Sequence, residues 1–352
     1  MTGVLMVPYV ENNPYQDNLV ASLEQQGVTV HQSSPRPEQI LSTLLSEPDI
    51  NIIHIHWTYP FFNSNSVIMT IAKSFAYLVL FSLLRVFGYR LIWTAHNLTA
   101  HDNDQENVEI LIKQLFCRYI CDTVIAHNRA AAEKLRDRLR LNGKTDVEVI
   151  RHGHYIDTYP NEISRSASRT KLGYESDDTI YLFLGQIKEY KQVPNLIQSF
   201  KDISSENDDK RLLLVGNPEN SELEDRIITE SDGRDDIRTV LEFVPSEELQ
   251  LYLNAADVVV FPYSDIFTSG SAILAMSFCK PIIVPDLDTL RETLDTEGTI
   301  FYDSDKDLTG ALEKINKLNL SEMGKHNFEL ATQRSWDDIA EKTHHVYIDK
   351  RY

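Results

Sequence analysis

Two short segments in the second half of the chain carry residue types that hold phosphate. The first, LFLGQIKEYKQVPNLIQSF over 182–200, runs from an apolar stretch into Gly185 and Gln186, then Lys188 and Lys191, then a helical pattern. A glycine lets backbone come close to a ligand. Two ammonium groups on one loop can both reach phosphate oxygens as point charges, although two such lysines more plainly serve as a solvated face. The second, FPYSDIFTSGSAILAMSFCKPIIVP over 261–285, places Thr268, Ser269, Gly270 and Ser271 where a helix opens. Free N–H groups and the partial positive charge of a helix start make a seat for a diphosphate; the plainer use is N-capping. Asp265 in the same loop, and Asn217 directly after Leu212–Gly216, are further polar candidates.

These segments need a frame, and apolar periodicity supplies one. Runs at 4–7, 28–30, 50–56, 90–94, 123–126 and 147–150 predict strands, separated by helical patterns at 17–26, 40–45, 108–120 and 130–141. After a polar stretch over 160–173 the pattern restarts. Strands are predicted at 180–184, 211–215, 237–243, 258–261 and 281–284, and helices at 193–203, 246–255, 271–278, 308–318 and 335–349. Alternation of this kind predicts an α/β class with parallel sheets. Two units are expected, over 1–158 and 172–335, with a last helix over 336–352. Ligands of such sheets sit at the carboxyl ends of strands, so the expected site is the cleft between the units.

Composition bounds the function. The 352 residues include 13 glycines and 13 prolines, with 42% hydrophobic residues, which is a globular composition. The net charge is −19, which argues against nucleic acid as a partner, because that needs a basic face. Residues 1–158 hold 13 basic and 16 acidic residues, and residues 159–352 hold 21 and 37. The acidic second half reads as a solvated surface. Three cysteines rule out a disulfide scaffold, and Cys117 and Cys121, four apart, read as small buried hydrophobes. The opening residues are too short an apolar run for a signal peptide and read as a strand.

One segment stands apart. From Ile50 to His101 there is no Asp or Glu, and within it residues 67–88 read VIMTIAKSFAYLVLFSLLRVFG. Lys73 and Arg85 interrupt the run, so a single membrane crossing, which needs about 20 mostly apolar residues, is not expected. A core helix is one reading. The favoured one is a helix lying in a membrane interface, with aromatic residues and cations facing anionic headgroups.

The ordered set LFLGQIKEYK, the segment ending at Gly216, AADVVVFPY and SGSAILAMSFCKPII resembles the donor domain of GT-B glycosyltransferases, in particular family 4 and its relatives. HIHW, WTAHN and IRHGHY look like loops of the acceptor domain. The resemblance covers nearly the whole chain. It implies two Rossmann-like domains facing a cleft, a nucleotide-diphosphate-sugar donor on the second domain, an acceptor on the first, and a last helix after Trp336 that crosses back. It places Gly185, Gln186, Lys188, Lys191, Asn217, Asp265 and Thr268–Ser271 on the donor side. Family 4 enzymes commonly have an arginine where Gln186 stands, and two glutamates at the positions of Ile266 and Leu274. Without those carboxylates, a retaining outcome is not implied; an inverting relative, such as the β-mannosyltransferases of polysaccharide assembly, fits better.

An inverting transfer needs a base for the acceptor hydroxyl proton. His96, which matches the family histidine near the transferred sugar, is the first candidate, with His101, Asp102 and Asp17. Asn12, Asn13, Tyr15, Arg151 and His152 are acceptor-side candidates, and His54 and His56 alternate along a strand end. Asp102–Asp104 and Asp286–Asp288 have Asp-x-Asp spacing but not the context for a metal-bound nucleotide sugar. No metal and no cofactor are expected, and GDP- or UDP-sugar is the substrate. The expectation is a hexosyltransferase acting on a lipid-linked or saccharide acceptor, cytoplasmic and peripheral to the inner face of the cell membrane through 67–88. The alternatives are an inactive GT-B subunit docked to a partner at the membrane, and a nucleotide-sugar epimerase.

Overall fold

A computed structural model of the chain describes residues 2–99, 105–141, 143, 145–204, 209–303, 305–315 and 317–349. The chain divides into two compact units, residues 1–153 with 334–352, and residues 154–333.

The first unit runs β1 (Thr2–Val7), α1 (Pro14–Gln25), β2 (Val28–Gln32), α2 (Pro37–Ser46), β3 (Ile50–Ile55), α3 (Tyr59–Phe62), α4 (Val67–Val86), β4 (Arg90–Thr94), α5 (Glu106–Tyr119), β5 (Thr123–Ala126), α6 (Arg129–Arg138) and β6 (Asp146–Val149). Its six strands form one sheet in the order β2-β1-β3-β4-β5-β6, every pairing parallel. The central strands are buried on both faces, as continuous Val/Ile/Leu runs require.

The second unit runs α7 (Arg165–Leu172), β7 (Thr179–Leu184), a 3-10 turn (Glu189–Lys191), α8 (Val193–Ile203), β8 (Lys210–Val215), α9 (Ser221–Ser231), β9 (Ile237–Val240), α10 (Leu249–Ala255), β10 (Val258–Val260), α11 (Gly270–Ser277), β11 (Ile282–Pro285), α12 (Asp288–Arg291), β12 (Thr299–Tyr302), α13 (Asp305–Ile315) and α14 (Leu320–Thr332). Its sheet, also all parallel, has the order β12-β11-β10-β7-β8-β9. The last helix, α15 (Trp336–Ile348), belongs to the first unit and packs on α1.

Both sheets have a point where strand order reverses, at β1/β3 and at β7/β10. Loops leaving a parallel sheet there diverge to opposite faces and leave room for a ligand.

Several elements differ from the periodicity reading. The polar stretch 160–173 contains a helix, α7, because Arg169 anchors it. That guanidinium is buried, pairs with Asp257 at 2.6 Å and donates to the carbonyls of Ala255 and Asp178. A polar sequence thus folds through one buried charge with its partners rather than through an apolar stripe. The elements α9, β12 and α14 are also present, short or weakly patterned in sequence. Residues 67–86 of that segment form the helix α4, of which one face joins the core and the other is exposed. Thr70, Ser74, Tyr77, Phe81 and Leu84 face inward, while Ile68, Phe75 and Val86 are 82%, 67% and 81% exposed. By length and composition α4 could cross a membrane, and 28% of its most apolar window is buried.

Candidate active site

In the second unit, β7 is followed by Gly185, which has φ +134°, a conformation L-residues rarely adopt. A Cβ there would lie 3.1 Å from Ser271 Oγ and 3.4 Å from Lys191 Nζ. The neighbouring loop after β8 is equally tight, since a Cβ on Gly216 would lie 2.0 Å from the Gly185 carbonyl oxygen. The two loops are tied by Ile187 N–H to the Asn217 carbonyl and by Glu219 N–H to the Ile187 carbonyl, both at 2.9 Å. Two glycines therefore let the loops after adjacent strands lie against each other, with Lys191 and Ser271 at the junction.

A cavity of about 330 Å³ opens there. Its cationic side is Lys191, and its floor is the start of α11, with Thr268, Ser269, Gly270 and Ser271. Ser269 Oγ caps α11 by accepting from Ala272 N–H at 3.1 Å, and it also lies 3.1 Å from the Tyr263 hydroxyl. Thr268 Oγ1 is buried without a hydrogen-bond partner. The phenols Tyr155, Tyr159, Tyr190 and Tyr263 and the apolar side chains Ile266 and Leu274 form the remaining wall. Burial, and after it the neighbouring Lys188 charge, pull the Lys191 ammonium down to about 8. Among the described residues no carboxylate pairs with Lys191. The cavity thus offers a cation and a helix start to an anion, and aromatic surface to what the anion carries.

The other donor-side candidates lie around this cavity without lining it. Lys188 pairs with Glu219 at 3.7 Å. Gln186 and Asn217 are exposed, and Asp265 is exposed with Oδ1 accepting from Ile266 N–H.

In the first unit, histidines collect at the carboxyl ends of four adjacent strands. His54 comes from β3 and His56 directly follows it, His96 follows β4, His127 follows β5 and His152 follows β6. His56 Nδ1 lies 3.2 Å from His96 Nε2, and His96 Nδ1 lies 3.3 Å from His127 Nε2. His54 is fixed by the Tyr347 hydroxyl at 2.7 Å and Thr94 Oγ1 at 2.8 Å. The ring of Tyr15, from the first turn of α1, packs within 6 Å of His56, His96, His127 and His152. His96 is half-buried; the other four are buried. Burial first, and the neighbouring imidazoles second, hold His56 and His96 well below the usual histidine range. Burial lowers His54 and His152 to about 3 and His127 to about 4. The array is neutral at ordinary pH. It does not chelate a cation, because the approaching atoms of His96 are its two different nitrogens, on opposite edges of the ring.

Of the first-half candidates, Tyr15, His96 and His152 meet in this array. Asn13 is a structural cap, its Oδ1 accepting from Gln16 N–H at 3.2 Å. Asn12 is exposed with φ +58°, and Arg151 is exposed. Asp17 lies on the exposed side of α1, accepting from the Tyr9 hydroxyl, and is not part of the array. His101 and Asp102 lie outside the described residues. Sequence reasoning missed His127, although it stands just past the end of β5 as His96 stands just past the end of β4. It also missed Tyr159, and Tyr155, Tyr190 and Tyr263, which lie within the quoted segments IRHGHY, LFLGQIKEYK and AADVVVFPY but were not singled out; the four converge only through the fold.

The family model described as glycosyl transferases group 1 matches residues 164–342. The chain is similar to a GDP-mannose:glycolipid 4-beta-D-mannosyltransferase of Xanthomonas campestris pv. campestris, 24% identical over 97% of this chain and 90% of the relative. It is also similar to an alpha-monoglucosyldiacylglycerol synthase of Acholeplasma laidlawii, 24% identical over 62% of this chain and 56% of that one. Among solved structures, a sucrose-phosphate synthase from Thermosynechococcus elongatus superposes with a TM-score of 0.77 at 16% identity, covering 99% of this chain and 98% of the other. Anabaena HepE in complex with UDP and glucose gives 0.71 at 14% identity, covering 98% and 99%. These likenesses share the fold of two parallel α/β sheets, the GT-B arrangement.

Proposed function

The chain belongs to the glycosyl transferases group 1 family and is a nucleotide-sugar-dependent glycosyltransferase, and from that premise we propose that it moves mannose from GDP-mannose to a lipid-linked saccharide. The observation that carries this reading is the likeness, over nearly the full length of both chains, to a GDP-mannose:glycolipid 4-beta-D-mannosyltransferase. In the proposed reaction the nucleotide diphosphate binds at Lys191 and the start of α11, where a cation and free N–H groups stabilise the charge that develops on the departing phosphate. Lys188, held near by Glu219, adds a weaker field. The positive side of this cavity comes from the chain itself, so transfer is proposed to run without a metal ion. Ile266 and Leu274 give the sugar end of the cavity an apolar wall, which supports an inverting transfer assisted by His96 on the acceptor unit.

The acceptor is proposed to be met at the inner face of the cell membrane. The exposed apolar side of α4 supports this, together with exposed Leu111, Leu115 and Tyr119 of the neighbouring α5. The two cations of α4 are partly committed, Lys73 to the Asn63 carbonyl at 3.0 Å and Arg85 to Asp122 at 2.6 Å, so apolar burial rather than charge is the main attraction.

Titrating the purified protein with GDP, UDP, ADP and their mannose and glucose conjugates tests the donor. GDP or GDP-mannose should raise the melting temperature by mass action, and transfer to a lipid-linked oligosaccharide in vesicles should yield a β-linked product. A response to UDP alone would overturn the donor assignment. Donor binding without turnover on any acceptor would instead favour a non-catalytic subunit.

A further inference from the structure

His56, His96 and His127 form one hydrogen-bonded row whose direction is set by a single backbone carbonyl. His127 Nδ1 lies 3.0 Å from the Ile150 carbonyl oxygen, which only accepts, so Nδ1 carries the hydrogen. In a neutral ring the other nitrogen then accepts, so His127 Nε2 accepts from His96 Nδ1–H at 3.3 Å. His96 Nε2 is left with its lone pair, and His56 Nδ1–H donates to it at 3.2 Å. His56 Nε2, at the end of the row, is buried with no partner, as this direction requires of an acceptor that meets no donor. The groups facing the row are Tyr15 from α1, His54 and Trp57 from β3 and its following loop, and His152 after β6. Arg334, at the approach to α15, also acts on it, disfavouring a charge on His127.

We propose that His127 is a positioning residue for the transfer: anchored by the Ile150 carbonyl, it holds His96 as the Nδ1–H tautomer, so that Nε2 is the basic nitrogen of the only ring in the row that is not fully buried. The function follows from the reading that His96 takes the acceptor proton. In that step the acceptor O–H bond breaks and its proton passes to His96 Nε2, displacing the His56 N–H. The acceptor oxygen bonds the anomeric carbon, and the bond from that carbon to the phosphate oxygen breaks, its electron pair leaving on the nucleoside diphosphate. The Nδ1 proton of His96 can then shift to His127 Nε2, spreading the positive charge over two rings.

The test is a two-bond nitrogen–proton correlation spectrum of the full chain labelled with 15N-histidine, read beside transfer kinetics. In the unmodified protein His96, His127 and His56 should all show Nδ1–H signatures; an Nε2–H signature at His96 would overturn the proposal with no variant needed. His127→Leu removes the acceptor for His96 Nδ1–H. His96 should then lose its single tautomer, and kcat should fall about 10- to 100-fold with donor KM unchanged, the scale of a misoriented acid–base group. His127→Gln, whose amide oxygen can accept the same hydrogen, should restore the tautomer and most of kcat. An unchanged Nδ1–H signature at His96 in His127→Leu would also overturn the proposal. A changed tautomer with unchanged kcat would overturn the positioning role in the transfer, and with it the reading that His96 takes the acceptor proton, while donor binding and the family assignment would stand.

Discussion

Lys191 is the residue on which the proposed donor site turns. It is buried, its ammonium is held down to about 8, and no described carboxylate compensates it. In the proposed donor complex a diphosphate would supply the missing counter-charge. Lys191→Ala should weaken nucleoside diphosphate binding by roughly 10- to 100-fold, on the order of 1.5–3 kcal/mol for a charged hydrogen bond; unchanged calorimetric affinity would remove the phosphate role. The pH sign follows from the lowered value. The ammonium is charged below about 8 and neutral above it, so affinity should fall as pH rises from 8 to 10, and the Lys191→Ala variant should lose most of that slope. At the same scale, a Cβ on Gly153 would lie 2.3 Å from Trp336 Cε2. Gly153→Ala should therefore lower stability by about 1–3 kcal/mol through overpacking, read as a lower urea midpoint.

Among the elements, α4 inverts the usual order of a surface helix. Its inward face includes the polar Thr70 and Ser74, and its outward face is a stripe of Ile68, Ile71, Phe75, Val79 and Val86 at helical spacing. A soluble monomer rarely leaves such a stripe open. Replacing Ile68 and Phe75 together by Glu should abolish pelleting with anionic liposomes while leaving the melting temperature within a degree or two, because neither side chain is buried. Full retention on liposomes would count against the membrane role. The reading of 67–88 as interfacial came from composition, since a helix this apolar interrupted by Lys73 and Arg85 fits poorly elsewhere. Which face is outward was not legible, because Tyr77, Phe81 and Leu84 are as apolar as the residues left exposed.

At the scale of the whole molecule, five neutral histidines in one array make stability depend on pH. Their folded values lie below the ordinary value, down to about 3 or 4 where resolved, so the unfolded chain binds more protons as pH falls below about 6.5. Their contribution is fully present above about 6.5 and is lost as pH falls from there toward 3–4. The urea midpoint should drop steadily from pH 6.5 to 4.5. A flat profile there would mean the array is open to water or already charged.

The local sequence determined much of the frame. Apolar runs about the length of a buried strand, broken by glycine and polar loops, have few folds other than parallel α/β open to them, and two such series made two sheets. Gly185, Lys191 and Ser269–Ser271 were legible because a tight turn, a cation and a helix start are local features, written within a few residues of one another. What only the tertiary structure decided depends on neighbours distant in sequence. The tyrosine wall joins residues from 155 to 263, and the tautomer of His96 depends on a carbonyl 54 residues away. Arg169 folds α7 only because Asp257 is brought to it. Burial and hydrogen-bond direction are properties of those meetings, and no single segment contains them.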